Sequence, residues 1–199
     1  MEVVLTGLTL PLRLRPSVPM TDEDLMVFSS SNECLPIERE ANGDILVMSP
    51  SGSGSSSKNV EISFELELWN RRVGGGVVFE SNGGFTLPDG SVRAADAAWL
   101  SLAKWEALSP RDQQRYAPVC PEFVIELRSP SDSLAEQQVK MDMWLQNGVQ
   151  LGWLIDPQER AVTIYTPDRG PERLYAVSLV AGTGPVAGFV LPLDRIFTC

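Results

Sequence analysis

Three side chains stand where ordinary packing would not place them. Glu126 sits in Phe123-Val124-Ile125-Glu126-Leu127, a run otherwise as continuously apolar as a central sheet strand. An ionised carboxylate buried alone is prohibitively unfavourable, so Glu126 must meet a cation, a metal ion or strong donors. Asp96 interrupts Ala94-Ala95-Asp96-Ala97-Ala98-Trp99, among small side chains that leave room around it. Lys140, one of only three lysines, falls midway along an expected helix just after the Glu126 strand, with Met143 and Trp144 one turn on. A strand followed by a helix of this length can fold the helix back over the strand, which brings Lys140 within reach of Glu126. Two carboxylates on neighbouring strands can hold a hard divalent ion through oxygen ligands while the ion keeps several waters. Such an ion lowers the pKa of a bound water and neutralises charge building on a phosphodiester. The lysine then orients or deprotonates the attacking water, or screens the transition state.

Composition narrows the chemistry by exclusion. The 199 residues contain no histidine, which removes Ser-His-Asp and Cys-His triads, His-metal nucleases and every imidazole general base. Three cysteines, Cys34, Cys120 and Cys199, include no CxxC pair, so neither a disulfide framework nor a thiolate zinc site is expected. Sixteen basic against 26 acidic residues give a net charge of −10. That argues against a sequence-blind nucleic-acid coat and for modest, salt-dependent DNA affinity. Arg71-Arg72, Arg111 and Arg115 could grip phosphates or simply be solvated helix ends. The first residues carry arginines after a short apolar run, the reverse of a secretory leader, and no segment reaches the roughly 18 apolar residues of a membrane span. A cytoplasmic protein with no membrane partner is the expectation.

The elements that must position these groups follow from periodicity and turn chemistry. Residues 1–20, punctuated by Pro and Arg, read as an arm or short strand, and 21–199 as a single domain. Thr21-Asp22-Glu23-Asp24 starts a helix with an N-cap and acids in its first turn. Strands over 37–41 and 44–48 flank Asn42-Gly43, the pair a type I′ hairpin turn prefers. Residues 49–57, SPSGSGSSS, read as a flexible loop. A helix follows over 58–72, with Val60, Phe64 and Leu68 on one stripe and Ile62, Leu66 and Trp69 on another, so it should pack within the domain. Strands over 77–80 and 85–87 lead through Pro88-Asp89-Gly90 into one strand over 92–100, then short helical pieces at 104–108 and 111–116. The strand 122–127 puts Val124, Glu126 and Arg128 on one face and Phe123, Ile125 and Leu127 on the other. A helix opened by the capping box Ser133-Leu134-Ala135-Glu136 and ended by Asn147-Gly148, then a strand over 151–155, complete a β-α-β unit. A covering hairpin, 162–165 with 173–177, and a last strand at 189–191 finish the chain. The fold class is α/β in the mixed α+β sense: a central mixed sheet flanked by helices, with an N-terminal hairpin and extra C-terminal strands.

Residues 21–195 resemble the Uma-two family, endonucleases of the PD-(D/E)xK restriction-endonuclease-like superfamily. The resemblance is carried by ILVMSP from Ile45, by VRAADAAWL from Val92 where relatives have a Pro-Asp pair, and by PEFVIELRSPSD from Pro121. It continues through Lys140, Trp144 and Gly148 at four-residue intervals and LGWLIDP from Leu151. The resemblance implies a restriction-endonuclease-like core, hydrolysis of DNA phosphodiesters dependent on Mg²⁺ or Mn²⁺, and a homodimer. It makes Asp96 and Glu126 the metal carboxylates, the backbone carbonyl of Leu127 a further ligand, and Lys140 the catalytic lysine, moved from the strand to the helix. The strand position itself is Arg128, permanently protonated and unable to act as a base. Glu38 on the first hairpin, Glu61 early in the following helix and Arg128 itself are accessory candidates. Two departures stand out: Ala95 replaces the usual proline, and the Gly/Ser loop lacks the polar or charged side chain that relatives present there.

Each residue also has a simpler reading. Asp96 could cap a turn, Glu126 could pair with Arg128 or Arg93, and Lys140, Glu38 and Glu61 could be solvated. For the whole protein the alternative is a catalytically silent dimeric interaction or regulatory module on the same fold. Glycoside hydrolysis by paired acids is a third reading, disfavoured by the lysine and the lack of an aromatic sugar platform. The nuclease reading is preferred.

Overall fold

A computed structural model describes residues 10–198. The chain runs β1 (Leu12–Leu14), α1 (Asp22–Ser30), β2 (Ile37–Arg39), β3 (Ile45–Val47), α2 (Ser53–Val73), β4 (Gly76–Glu80), β5 (Gly84–Thr86), β6 (Val92–Ala94) and β7 (Ala97–Ser101). It continues through α3 (Leu102–Glu106), α4 (Pro110–Gln113), β8 (Phe123–Leu127), α5 (Leu134–Gln146), β9 (Leu151–Asp156), β10 (Ala161–Thr166), β11 (Arg169–Tyr175), β12 (Leu179–Ala181), β13 (Val190–Pro192) and α6 (Asp194–Phe197). The arm expected over 1–20 lies partly outside the described residues; within them, β1 pairs antiparallel with β3.

Six strands in the order β11-β10-β9-β8-β7-β4 form the main sheet. Within it β8 and β9 run parallel, joined by the crossover helix α5, and the remaining ladders are antiparallel. β8 is buried along its whole length, as its apolar run requires. Its alternation divides the core in two. Phe123, Ile125 and Leu127 face Ile62 and Leu66 of α2, together with Phe189, Leu191 and Ile196 from the end of the chain. Val124 faces Met141 and Trp144 of α5, with Leu154 and Tyr165. Each such fully buried side chain contributes about 1.5–3 kcal/mol. Close approach of α5 depends on Gly152, where an added Cβ would lie 2.4 Å from Met141 Cε.

A second sheet, ordered β1-β3-β2-β6-β5, packs its own small core of Leu25, Ile45, Val47 and Val92. The residues 92–100, expected as one strand, are two. β6 belongs to the small sheet and β7 to the main sheet, and the chain changes sheets across Ala95-Asp96. The alanines suit either strand equally, so no local signal marks the break.

Other differences have local causes. Ser53 to Ser57, expected as loop, are the first turns of α2, which starts after Gly52 without a side-chain cap. A helix anchored by Ile62 and Leu66 propagates upstream more easily than it nucleates. Its Val60-Phe64 stripe, expected inside, is 66% and 58% exposed. The Ser133 side chain makes no cap hydrogen bond, so the expected capping box is absent. At Asn42-Gly43 only Gly43 has positive φ, 87°, so the turn is not type I′. The 162–165 and 173–177 pair does not cover the sheet but extends it, as β10 and β11 at its edge. No helix among the described residues is long and apolar enough to cross a membrane.

Candidate active site

Glu126 is on the α5 face of β8 and only 2% exposed. Two side chains one helical turn apart on α5 reach down to it. Lys140 Nζ lies 2.9 Å from both carboxylate oxygens, and Trp144 Nε1 donates to Oε1 at 2.8 Å. The β-α-β connection makes this possible, because it lays α5 over the strand that precedes it. Trp144, part of the core between α5 and the sheet, is thus also a polar partner of the buried acid. Its i, i+4 spacing from Lys140 was the available signal.

Asp96 arrives from the other side, at the point where the chain enters the main sheet. β7 pairs antiparallel with β8, with Ala97 opposite Ile125. One residue further along that register, Asp96 comes opposite Glu126. The Leu127 N–H donates to Asp96 Oδ2 at 2.8 Å, and Asn59 Nδ2 of α2 donates to Oδ1 at 2.7 Å. Leu127 therefore meets the site through its N–H. Asn59 went unremarked in the sequence, yet it continues the buried stripe of Ile62, Leu66 and Asn70 by one helical step toward the N-terminus.

Glu38 is 4% exposed on β2. Its carboxylate accepts from Arg93 Nη1 at 2.6 Å and from the Ala94 N–H at 3.2 Å. The Ala94 carbonyl in turn accepts from Lys140 Nζ at 3.3 Å, so one residue of β6 ties Glu38 to the lysine. Asp96, Glu126, Lys140 and Glu38 thus belong to one connected polar centre.

Glu61 and Arg128 do not join it. Glu61 is two residues beyond Asn59, about 200° around the helix, and its carboxylate meets Arg195 of α6 at 3.3 Å. Arg128 shares the face of Glu126 but is held by Asp156 at 2.9 Å and by the Asp132 carbonyl at 3.1 Å. Glu126 accordingly pairs with neither Arg128 nor Arg93. Arg111 and Arg115 both meet Glu23, and Arg71 meets Glu67.

Burial sets the electrostatics. It pushes Glu126 up to about 7, opposed by the charge of Lys140 and reinforced by Asp96. Asp96 is also raised by burial, opposed by Lys140, the Leu127 N–H and Asn59. For Lys140 burial acts downward, but the charges of Glu126, Glu38 and Asp96 outweigh it and hold the ammonium above the ordinary lysine range. Lys140 is therefore a cation at neutral pH and a hydrogen-bond donor, not a resting base.

Among the described residues, no three Asp, Glu, Cys or His side chains converge as a ready-made metal cage. The donors present are still of the right kind. Asp96 and Glu126 offer hard carboxylate oxygens, and Asn59 Oδ1 is buried with no hydrogen-bond partner. Two acids and a spare amide oxygen suit a Mg²⁺-like ion that keeps several waters.

A family model described as "Uma2: Putative restriction endonuclease" matches residues 26–192. The chain belongs to the Uma2 family. The Uma2 match takes in the whole polar centre, from Glu38 to Trp144, and places the chain in a nuclease family. Among solved structures it is similar to one described as "a putative nuclease belonging to DUF820", from Anabaena variabilis ATCC 29413. The TM-score is 0.67 at 21% identity, covering 81% of this chain and 89% of the other. That likeness shows the fold, a restriction-endonuclease-like mixed sheet flanked by helices. No curated protein matches.

Proposed function

We propose that this Uma2 protein is an endonuclease that hydrolyses DNA phosphodiester bonds with a divalent ion, Mg²⁺ or Mn²⁺, held by Asp96 and Glu126. The observation that carries the reading is the meeting of these two acids, far apart in the chain, across one strand pair with Lys140 on the same carboxylate. When bound, the ion supplies an acidified water and neutralises charge on the phosphate. The protein's own groups do the positioning. The Leu127 N–H and Asn59 fix the Asp96 carboxylate, and Trp144 fixes one oxygen of Glu126. The Leu127 carbonyl, at the end of β8, is the proposed further ligand. Lys140 keeps its proton and places positive charge beside the acids, where a phosphate would gather negative charge. In a chain of net charge −10 that local charge matters. Glu38 acts at one remove, holding Lys140 in its ionised form.

The test is nicking of supercoiled plasmid with Mg²⁺, Mn²⁺ or EDTA, comparing wild type with Asp96→Asn and Lys140→Met. Cation-dependent nicking that falls at least about a hundredfold in both variants supports the assignment. Nicking that survives both rejects it. Cutting both strands calls for two such sites, so the proposal includes a homodimer, checked by sedimentation, and a cytoplasmic setting where DNA is reached. A silent scaffold is the second reading, and one observation favours it. Each oxygen of Asp96 and Glu126 already has a protein donor. That reading requires that Mn²⁺ leave thermal unfolding unchanged.

A further inference from the structure

We propose that the side-chain oxygen of Asn59 is a third protein ligand for the divalent cation, a role resting on the nuclease reading above. The amide is oriented by its partner. Its nitrogen faces Asp96 and donates to Oδ1 at 2.7 Å. The oxygen is then turned away from Asp96 Oδ1, and it is buried without any hydrogen-bond partner. Such unpaired acceptors are rare in folded proteins and call for an explanation. Among the described residues only one other buried side-chain oxygen shares this condition, Gln137 Oε1 on α5.

Helix α2 holds Asn59 in place rigidly. It lies three and seven residues before Ile62 and Leu66, whose burial fixes the rotation of the helix. The same rotation turns Glu61 away to Arg195. The first core helix therefore contributes an amide, not an acid, to the carboxylate centre. An amide oxygen is an ordinary ligand of hard cations. Its neutrality also has a use. Asp96, Glu126 and Glu38 face the cations Lys140 and Arg93, an excess of one negative charge, and a third carboxylate on the cation would double it. Asn59 thus adds a donor without adding repulsion to the cation-free fold.

The experiment titrates Mn²⁺ at constant pH, reading bound ion by electron paramagnetic resonance and thermal unfolding in parallel. Wild type is compared with Asn59→Leu, Asn59→Asp and Asp96→Asn. We expect Asn59→Leu to weaken Mn²⁺ binding at least about tenfold. Asn59→Asp should strengthen it at least about threefold, while lowering the melting temperature of the cation-free protein. The opposite signs are diagnostic, because loss of a merely structural hydrogen bond moves both variants the same way. Unchanged affinity in both variants, or equal weakening, overturns the role of Asn59 and leaves the Asp96 site standing. Wild-type protein that binds no Mn²⁺, or binds it equally well after Asp96→Asn, instead overturns the metal reading on which this role rests.

Discussion

Replacing Lys140 by Met keeps most of the side chain's bulk and removes its charge. What remains is Glu126, 2% exposed, with Trp144 as its donor and Asp96 nearby. Breaking a buried ion pair by deleting one member costs about 3–5 kcal/mol when the other stays charged. Lys140 retains some solvent contact, its side chain being 24% exposed, so the lower end, about 3 kcal/mol, applies. Protonating Glu126 cancels most of that loss and leaves about 1 kcal/mol for a hydrogen bond. Burial has raised Glu126 to about 7, so the change of regime falls there. The sign follows from linkage. A carboxyl raised in the folded state contributes stability that is complete below its unfolded value, about 4.5, and is lost as pH rises through about 7. Lys140 offsets that loss, and removing it steepens the decline. Urea unfolding in EDTA should therefore show Lys140→Met costing about 1 kcal/mol near pH 5.5 and about 3 kcal/mol near pH 8.5. Lys140→Met combined with Glu126→Gln should show little dependence on pH. A penalty equal at both pH values, or larger in acid, would refute this electrostatic account of the centre.

Three further outcomes are expected. Stabilisation by Mn²⁺ should grow as pH rises through about 7, because a cation competes with the proton on Glu126; a thermal-shift series across pH reads this, and a flat series counts against Glu126 as ligand. Asp156→Ala leaves Arg128 and Arg173 without their shared buried partner and should cost about 3 kcal/mol in urea unfolding. It should leave Mn²⁺ affinity as it was, which sets the arginine cluster apart from the carboxylate centre. Gly152→Ala drives a Cβ against Met141 Cε, and calorimetry should show a loss of about 1–3 kcal/mol, since the methionine end can move but the core around it is full.

The parts of the fold that were legible in the sequence are those whose signal is local. The β8-α5-β9 unit announces itself by an apolar run, a helix of the right length and a Gly stop, and Glu126 is conspicuous because it breaks that run. Once α5 lies over β8, the Lys140 contact follows. Asp96 was noticed, but the change of sheet beside it was not, since alanines fit both strands and the break is decided by which sheet each half joins. Asn59 was missed although the expected helix over 58–72 contains it, because a neutral amide one residue from a helix end carries no sign of facing inward. Only the burial of Ile62, Leu66 and Asn70 shows which way its stripe turns. Glu61 drew attention as an acid near the right place, yet two residues along a helix is nearly the opposite side. The exposed Val60 and Phe64 show the same limit: period 3.6 marks an apolar stripe but cannot say what covers it.

The most direct measurement is anomalous diffraction from a crystal soaked in Mn²⁺ at pH above 7. The account requires one strong peak within coordination distance of both Asp96 and Glu126, with Lys140 alongside. A crystal saturated with Mn²⁺ that shows no peak there, with Lys140 and Trp144 still holding Glu126, would contradict it.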